Sequence, residues 1–353
     1  MKNHCKKVFI ILIFYLFTLS NLCNAETSSE SGEMHLNKFE LIKDIEWAKP
    51  NGNSLTMDIY IPETGKTGYP VLVIFHGGGW LLNNNSTMDS MSTYIVKHSE
   101  YIVCNVNYRL LVDESNTITM NQMVEDAMGA VLWVKENIAA YKGDKTKIFL
   151  TGDSAGGHLA EMVVLGAKKL ESDGFRGNSL GFHPTYLPEG ETAEKVAQNN
   201  ELDIQGVILS YTTVDIYESC LHGAFETQRN YFWHIAKATP RGIFGDSVNV
   251  NNNPELYKAV SPIYNIPESM KRKLPPHFCL VGSKDFLITP TSVKDYVSLL
   301  HSKGHQAQYW IYESRSHAFL DSEKNKFLGS EFRKDAPQAI DRIIEFMNNV
   351  IRK

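Results

Sequence analysis

The sequence predicts an α/β protein: a mostly parallel, twisted sheet with helices on both faces and a small inserted cap. Two observations predict it. From Leu55 onward, strand-like and helix-like segments alternate along the chain. Several strand-like runs, 71–75 and 101–106 among them, are apolar with almost no interruption, as in strands covered on both faces.

The elements follow in order. Residues 55–61 alternate apolar and polar side chains and read as the first strand, with 71–75 and 101–106 the next two. The stretch 120–141 carries Val124, Ala127, Ala130, Val131, Val134 and Ile138 at helical spacing. A short strand is expected at 147–150 and a helix at 155–170. Further strands fall at 204–209, 278–281 and 308–312, and helices at 295–303 and 340–351. Two stretches break the rhythm. Residues 171–203 hold Gly, Pro, Glu and Asn, and residues 216–262 hold Tyr217, Phe225, Tyr231, Phe232 and Trp233 among polar neighbours. Connections this long are uncommon without a function. Both are read as cap segments inserted into one domain spanning 26–353, with surface decoration the alternative.

Composition narrows the class. The chain has 353 residues, 43% hydrophobic and 21% charged, which is ordinary globular usage. Residues 1–25 read as a signal peptide: Lys2, Lys6 and Lys7, then the apolar run 8–19, then small residues ending at Ala25. The run is shorter than the roughly 20 residues a membrane span needs, so export to a secreted or periplasmic location is expected, with an uncleaved anchor the alternative. Cleavage would move the net charge from −5 to −8, since three lysines and no acid depart. That balance argues against nucleic acid or an anionic membrane surface as partner. Of the cysteines beyond the leader, Cys104 and Cys279 lie in apolar strand-like runs and read as buried thiols. One disulfide among Cys104, Cys220 and Cys279 remains open.

The chemistry starts at Gly152-Asp153-Ser154-Ala155-Gly156, a G-x-S-x-G between a strand and a helix. A sharp strand-to-helix turn leaves no room for side chains two positions either side of its centre. Bare residues at Gly152 and Gly156 therefore let the turn present Ser154 above a helix N-terminus. A second motif, His76-Gly77-Gly78-Gly79-Trp80, follows the strand 71–75. Its unshielded amides, with that of Ala155, are candidate oxyanion donors, each worth about 3 kcal/mol in the transition state.

Ser154 needs a base. His317 follows the last strand and is the best placed of the twelve histidines. His76 belongs to the glycine loop, His158 to the nucleophile helix, and His301 and His305 read as surface residues. The acid that orients the base is Asp285, after the strand 278–281, with Asp215 the competitor. Trp80, Tyr231 and Trp233, with Gly77 and Asp153, are the candidate pocket lining; packing within the cap is the alternative for the aromatics. No metal-ligand spacing is evident.

With these residues assembled, the chain resembles the hormone-sensitive-lipase-type branch of the α/β-hydrolase superfamily. The matching pieces are HGGGW (76–80), NYRL (107–110), GDSAGGH (152–158), SPIY (261–264), Asp285 and His317, spread over roughly residues 50–353. The resemblance implies the α/β-hydrolase fold, serine-dependent hydrolysis of esters and no cofactor. It also implies a Ser154–His317–Asp285 triad and an oxyanion hole from the amides of Gly78, Gly79 and Ala155, with Gly77 shaping the loop. Secreted relatives include esterases that remove acetyl or feruloyl groups from plant polysaccharides, so a small-molecule or carbohydrate-linked ester is the implied substrate. The acid segment departs from the usual pattern, reading Asp285-Phe286-Leu287-Ile288 where such proteins have Asp-Pro-Leu and an acidic pair. Long N-terminal cap helices are also lacking, so 171–203 and 216–262 would shape the pocket. A lipase or a peptidase of the same fold, or a non-catalytic module on a hydrolase scaffold, are the alternatives. The absence of a Trp-Ser-Tyr elbow speaks against the peptidase, and the complete triad against the module.

Overall fold

Eight strands make one sheet in the computed structural model, which describes residues 36–176, 179–226 and 231–352. The expected signal peptide, 1–25, lies outside the described residues. In chain order the strands are β1 (Phe39–Ala48), β2 (Leu55–Pro62), β3 (Tyr69–Phe75), β4 (Ile102–Val106), β5 (Gly143–Asp153), β6 (Gly206–Ser210), β7 (His277–Gly282) and β8 (Ala307–Tyr312). They lie side by side as β1-β2-β4-β3-β5-β6-β7-β8. β2 runs antiparallel to β1 and β4, and all the other neighbours are parallel.

Side-chain chemistry explains the order. Val71, Leu72, Val73, Ile74 and Phe75 of β3 are all fully buried, so this strand is stable only with layers on both faces. β1 carries Glu40, Lys43, Asp44 and Glu46 and lies at the sheet's rim, where charge discourages further pairing. The strands expected from the sequence begin at Leu55, and β1 is not among them. Its register shifts between Ile42 and Ile45 and again between Glu46 and Ala48, which erases the alternation that marks a strand.

Five helices cover the sheet: α1 (Asp89–His98), α2 (Met120–Asn137), α3 (Ala155–Gly166), α4 (Pro290–Ser302) and α5 (Pro337–Ile351). α1 and α5 share a face, the Tyr94 hydroxyl donating to Asp341 at 3.0 Å. On the other face the Tyr296 hydroxyl of α4 donates to Glu161 of α3, and Gly166 of α3 leaves room for Met128 of α2. α1 was not expected: only Met91, Ser92, Ile95 and Val96 are buried, too weak a stripe to read. α2 starts on a capping box between Thr119 and Gln122. It ends earlier than the periodicity suggests, because 138–141 tightens into a 3₁₀ turn closed by Lys142 at φ 69°. α3 stops at Gly166 rather than 170; Leu170 pairs with Phe182 instead.

The segment 171–203 runs along α2, where the Thr185 amide donates to the Glu125 carbonyl at 3.0 Å. The segment 216–262 contributes the short helices Ile216–Leu221, Tyr231–Ile235 and Pro254–Ala259. Phe175 and Phe244 stack between the two segments, ring centres 5.8 Å apart. Cys104, Cys220 and Cys279 are all free and buried. Among the described residues, no helix is long and apolar enough to cross a membrane. β3 has β4 on one side and β5 on the other, so the chain reverses its winding there. Such a reversal opens a crevice at the carboxyl ends of the strands, and the loops after β3 and β5 meet in it.

Candidate active site

β5 ends at Asp153 and α3 begins at Ala155, so Ser154 alone makes the turn. Its φ of 50° and ψ of −115° are strained for a residue with a side chain. A β-carbon on Gly152 would lie 2.2 Å from the Gly156 carbonyl carbon, and one on Gly156 would lie 2.0 Å from the Phe75 carbonyl oxygen. Bare residues at these two positions let α3 sit directly on β5 and β3. The Ser154 amide donates to the Ser210 carbonyl at 2.9 Å, fixing the turn to β6. The side chain is half-buried at the N-terminus of α3, whose unpaired amides favour developing negative charge.

The glycine loop is pinned to this turn. Asp153 Oδ1 accepts the Gly77 amide at 2.7 Å. Gly77 thus has its donor occupied and is buried, with no surface to offer a ligand. Gly78 and Gly79 turn the loop with φ of 120° and 60°, and both are half-buried. Among the described residues, neither of their amides donates to a protein acceptor, which leaves them available to an oxyanion. Trp80, also at positive φ (62°), is buried. Its Nε1 donates to His158 Nδ1 at 3.3 Å, and His158 Nε2 donates to the Val260 carbonyl at 2.7 Å. Complete burial pulls the His158 pKa down to about 4, so the ring is neutral and serves as a strut. His76 is buried likewise, stacked on Tyr108 with ring centres 4.5 Å apart, and burial lowers its pKa to about 4.

The loops after β7 and β8 bring Asp285 and His317 together. His317 Nδ1 donates to Asp285 Oδ2 at 2.7 Å. Asp285 Oδ1 accepts the amides of Leu287 and Ile288, both at 2.9 Å. The departure from Asp-Pro-Leu is thus compatible with a carboxylate held by two amides. With Nδ1 as donor, His317 Nε2 carries the lone pair a base needs. The ring packs edge-on against Tyr211, ring centres 4.7 Å apart. Tyr211 follows Ser210, the residue that holds the Ser154 amide. Asp215, the competing acid, caps the helix Ile216–Leu221 by accepting the Glu218 amide at 2.9 Å. His301 lies on the surface as expected. His305 does not: it is buried, with Nε2 donating to the Pro267 carbonyl at 2.7 Å.

The remaining predicted residues are scattered. Trp233 is completely buried, its Nε1 on the Phe225 carbonyl and the Arg241 guanidinium over its ring at 5.3 Å. Tyr231 is 55% exposed. The aromatic rings beside the glycine loop are instead Phe225 and Phe232. NYRL and SPIY prove to be staples: Arg109 forks onto Asp126 at 2.7 and 2.8 Å, and the Ser261 hydroxyl accepts the Tyr217 amide at 2.9 Å.

Sequence reasoning missed Asp321. Its carboxyl group faces that of Asp153, and its Oδ1 is buried without a protein hydrogen-bond partner. Two carboxylates both accept, so this contact needs a proton between them. Burial pushes the Asp153 pKa up to about 6 against the pull of His317, and holds Asp321 well above the ordinary range. Asp321 lies four residues beyond His317, at the end of the apolar run 318–320 and the start of a polar one, so nothing local singles it out. Among the described residues, no group of His, Cys, Asp and Glu is clustered as metal ligands are.

A wound sheet with a strained serine turn after its central strand and a buried His–Asp pair after its last two strands defines an α/β-hydrolase. The chain belongs to the BD-FAE family, whose pattern matches residues 57–300, a span that holds Ser154 and Asp285 and ends before His317. A probable isoprenylcysteine alpha-carbonyl methylesterase, ICMEL2 of Arabidopsis thaliana, is 24% identical over 296 residues, 83% of this chain and 60% of that protein. Esterase LipQ of Mycobacterium tuberculosis is 26% identical over 257 residues, 72% of this chain and 52% of its own length. The chain therefore spans about three-fifths or less of these curated relatives. Among solved structures, the propionate-bound esterase Est2 of Thermogutta terrifontis superposes with a TM-score of 0.60 at 18% identity, covering 90% of this chain and 96% of that one. That likeness is one of fold.

Proposed function

We propose that the protein is a serine carboxylic ester hydrolase acting on short-chain acyl esters. The observation that carries the reading is the buried His317–Asp285 hydrogen bond, 2.7 Å, in loops at the carboxyl ends of the strands, the end of the sheet at which Ser154 follows β5 and the glycine loop follows β3. Ser154 attacks the ester carbonyl while His317 Nε2 takes the hydroxyl proton. The carbonyl oxygen gains charge against the amides of Gly78, Gly79 and Ala155. His317 returns the proton to the departing alcohol, leaving an acyl-serine. Water, deprotonated by His317, attacks that ester and releases the acid and free Ser154. Asp285 holds the imidazole in the Nδ1–H form throughout and stabilises its cation. No cofactor takes part in these steps.

The names of the relatives, a methylesterase and an esterase, support the same reaction class. The leader-like stretch 1–25 supports an exported enzyme, and acetyl or feruloyl groups on plant polysaccharides are the substrate class we propose. The segments 171–203 and 216–262 act as its cap. The test is hydrolysis of p-nitrophenyl acetate by wild type and Ser154→Ala. Serine-dependent turnover is expected, and equal rates would overturn the reading. Acetylated xylan, acetylated pectin, methyl ferulate and triglycerides, offered in parallel, identify the natural ester.

A further inference from the structure

We infer that Phe225 and Phe232 form the wall that limits the length of the acyl group. The inference rests on the serine-esterase reading and deepens it.

Strand order fixes which side of Ser154 each half of the ester occupies. The leaving oxygen takes its proton from His317, so the alcohol lies toward the loops after β7 and β8. The carbonyl oxygen points at the glycine amides. The acyl chain is the remaining substituent of the tetrahedral carbon, and it is directed away from His317, toward the side of β3 and β4. The glycine loop forms the floor on that side, and it is covered by two rings. A β-carbon built on Gly79 would lie 3.3 Å from Phe232 Cδ1 and 3.4 Å from Phe225 Cε1.

The rings are fixed in place. They stack on each other, ring centres 5.1 Å apart and planes at 16°. Phe225 also meets the edge of Trp80 at 4.8 Å, and its carbonyl accepts Trp233 Nε1 at 3.2 Å. Trp80 in turn is tied to α3 through His158. Both Phe side chains are half-buried, so each keeps a free apolar face. On this inference a short acyl group lies against the stacked pair, and a longer one is obstructed by it.

The test compares kcat/KM for p-nitrophenyl esters from acetate to octanoate in wild type, Phe232→Ala and Phe225→Ala, with Phe232→Leu as a milder variant should the alanine forms fail to fold. The octanoate-to-acetate ratio is expected to rise at least about tenfold when a ring is removed, since one or two methylenes in an apolar pocket are worth that much. Acetate esters of lengthening alcohols are the control, and their ratios are expected to stay as in wild type. An acyl profile unchanged in every folded variant, or a change confined to the alcohol series, would overturn the inference. Absence of Ser154-dependent turnover with any ester, in wild type itself, would bring down the underlying reading and the inference with it.

Discussion

Gly282 and Arg315 approach so closely that a β-carbon on Gly282 would lie 2.3 Å from the Arg315 carbonyl oxygen. This contact laces the loop carrying Asp285 to the loop carrying His317. The Lys284 amide donates to the same carbonyl at 2.8 Å, and the Ser283 amide to Tyr312 at 2.9 Å. Gly282→Ala is therefore expected to cost about 1–3 kcal/mol of stability through overpacking and to lower kcat by parting the acid from the base. Thermal melts and p-nitrophenyl acetate kinetics check it; an unchanged variant would show that the lacing is slack.

On the proposed mechanism Asp285 orients the base, whereas Asp215 caps a helix. In Asp285→Asn the amide group still accepts one or both backbone donors, but turns its NH₂ toward His317. The ring then flips its proton to Nε2 and no longer acts as a base, so kcat should fall about 10⁴-fold with the fold intact. Asp215→Ala should lose about 0.5–2 kcal/mol with the cap and keep its turnover. The reverse pattern would transfer the acid role to Asp215.

The Asp153–Asp321 pair makes stability depend on pH. Both folded pKa values lie above those of an exposed carboxylate, Asp153 at about 6. The pair's contribution is then fully present below the unfolded value, near 4, and is lost as pH rises through 6. The charged and titratable groups around it are His317, Tyr211 and Tyr108, with Asp285 acting on Tyr211. Asp321→Asn supplies a permanent donor and removes one charge. Melting midpoints should match wild type near pH 4 and exceed it at pH 8. A deficit that grows with pH would reverse the assignment.

The turn at Ser154 stores strain. A residue at φ 50° and ψ −115° costs of the order of 1–3 kcal/mol unless it is glycine. Ser154→Gly should abolish turnover and melt higher than Ser154→Ala, a difference read by calorimetry. Equal midpoints would mean the turn is relaxed.

Much of this was legible in the chain because bare positions and fully apolar runs leave local signatures. Gly152 and Gly156 announce the turn, 71–75 announces a central strand, and His317 is placed by following the last strand. β1 and α1 were not legible, since a bulged rim strand and a weakly amphipathic helix take their form from what they pack against. Burial of His305 escaped for the same reason: it depends on the Pro267 carbonyl, 38 residues away in sequence. Asp321 and Gly282 act only through partners distant in sequence, Asp153 and Arg315, and no local pattern marks such pairings. Trp233 was drawn to the pocket by its neighbours, yet its indole turns inward to the Phe225 carbonyl and leaves Phe232 facing the glycine loop.

The central claim is that Ser154 is an activated nucleophile. Paraoxon, which phosphorylates the structurally similar esterase 2 of Thermogutta terrifontis, traps such a serine covalently. Peptide mapping after treatment should find one phosphoryl group per chain, on Ser154, with loss of ester hydrolysis in step with labelling and much slower labelling of Asp285→Asn. A protein that stays unlabelled, or is labelled elsewhere while Ser154→Ala still hydrolyses p-nitrophenyl acetate at the wild-type rate, would contradict it.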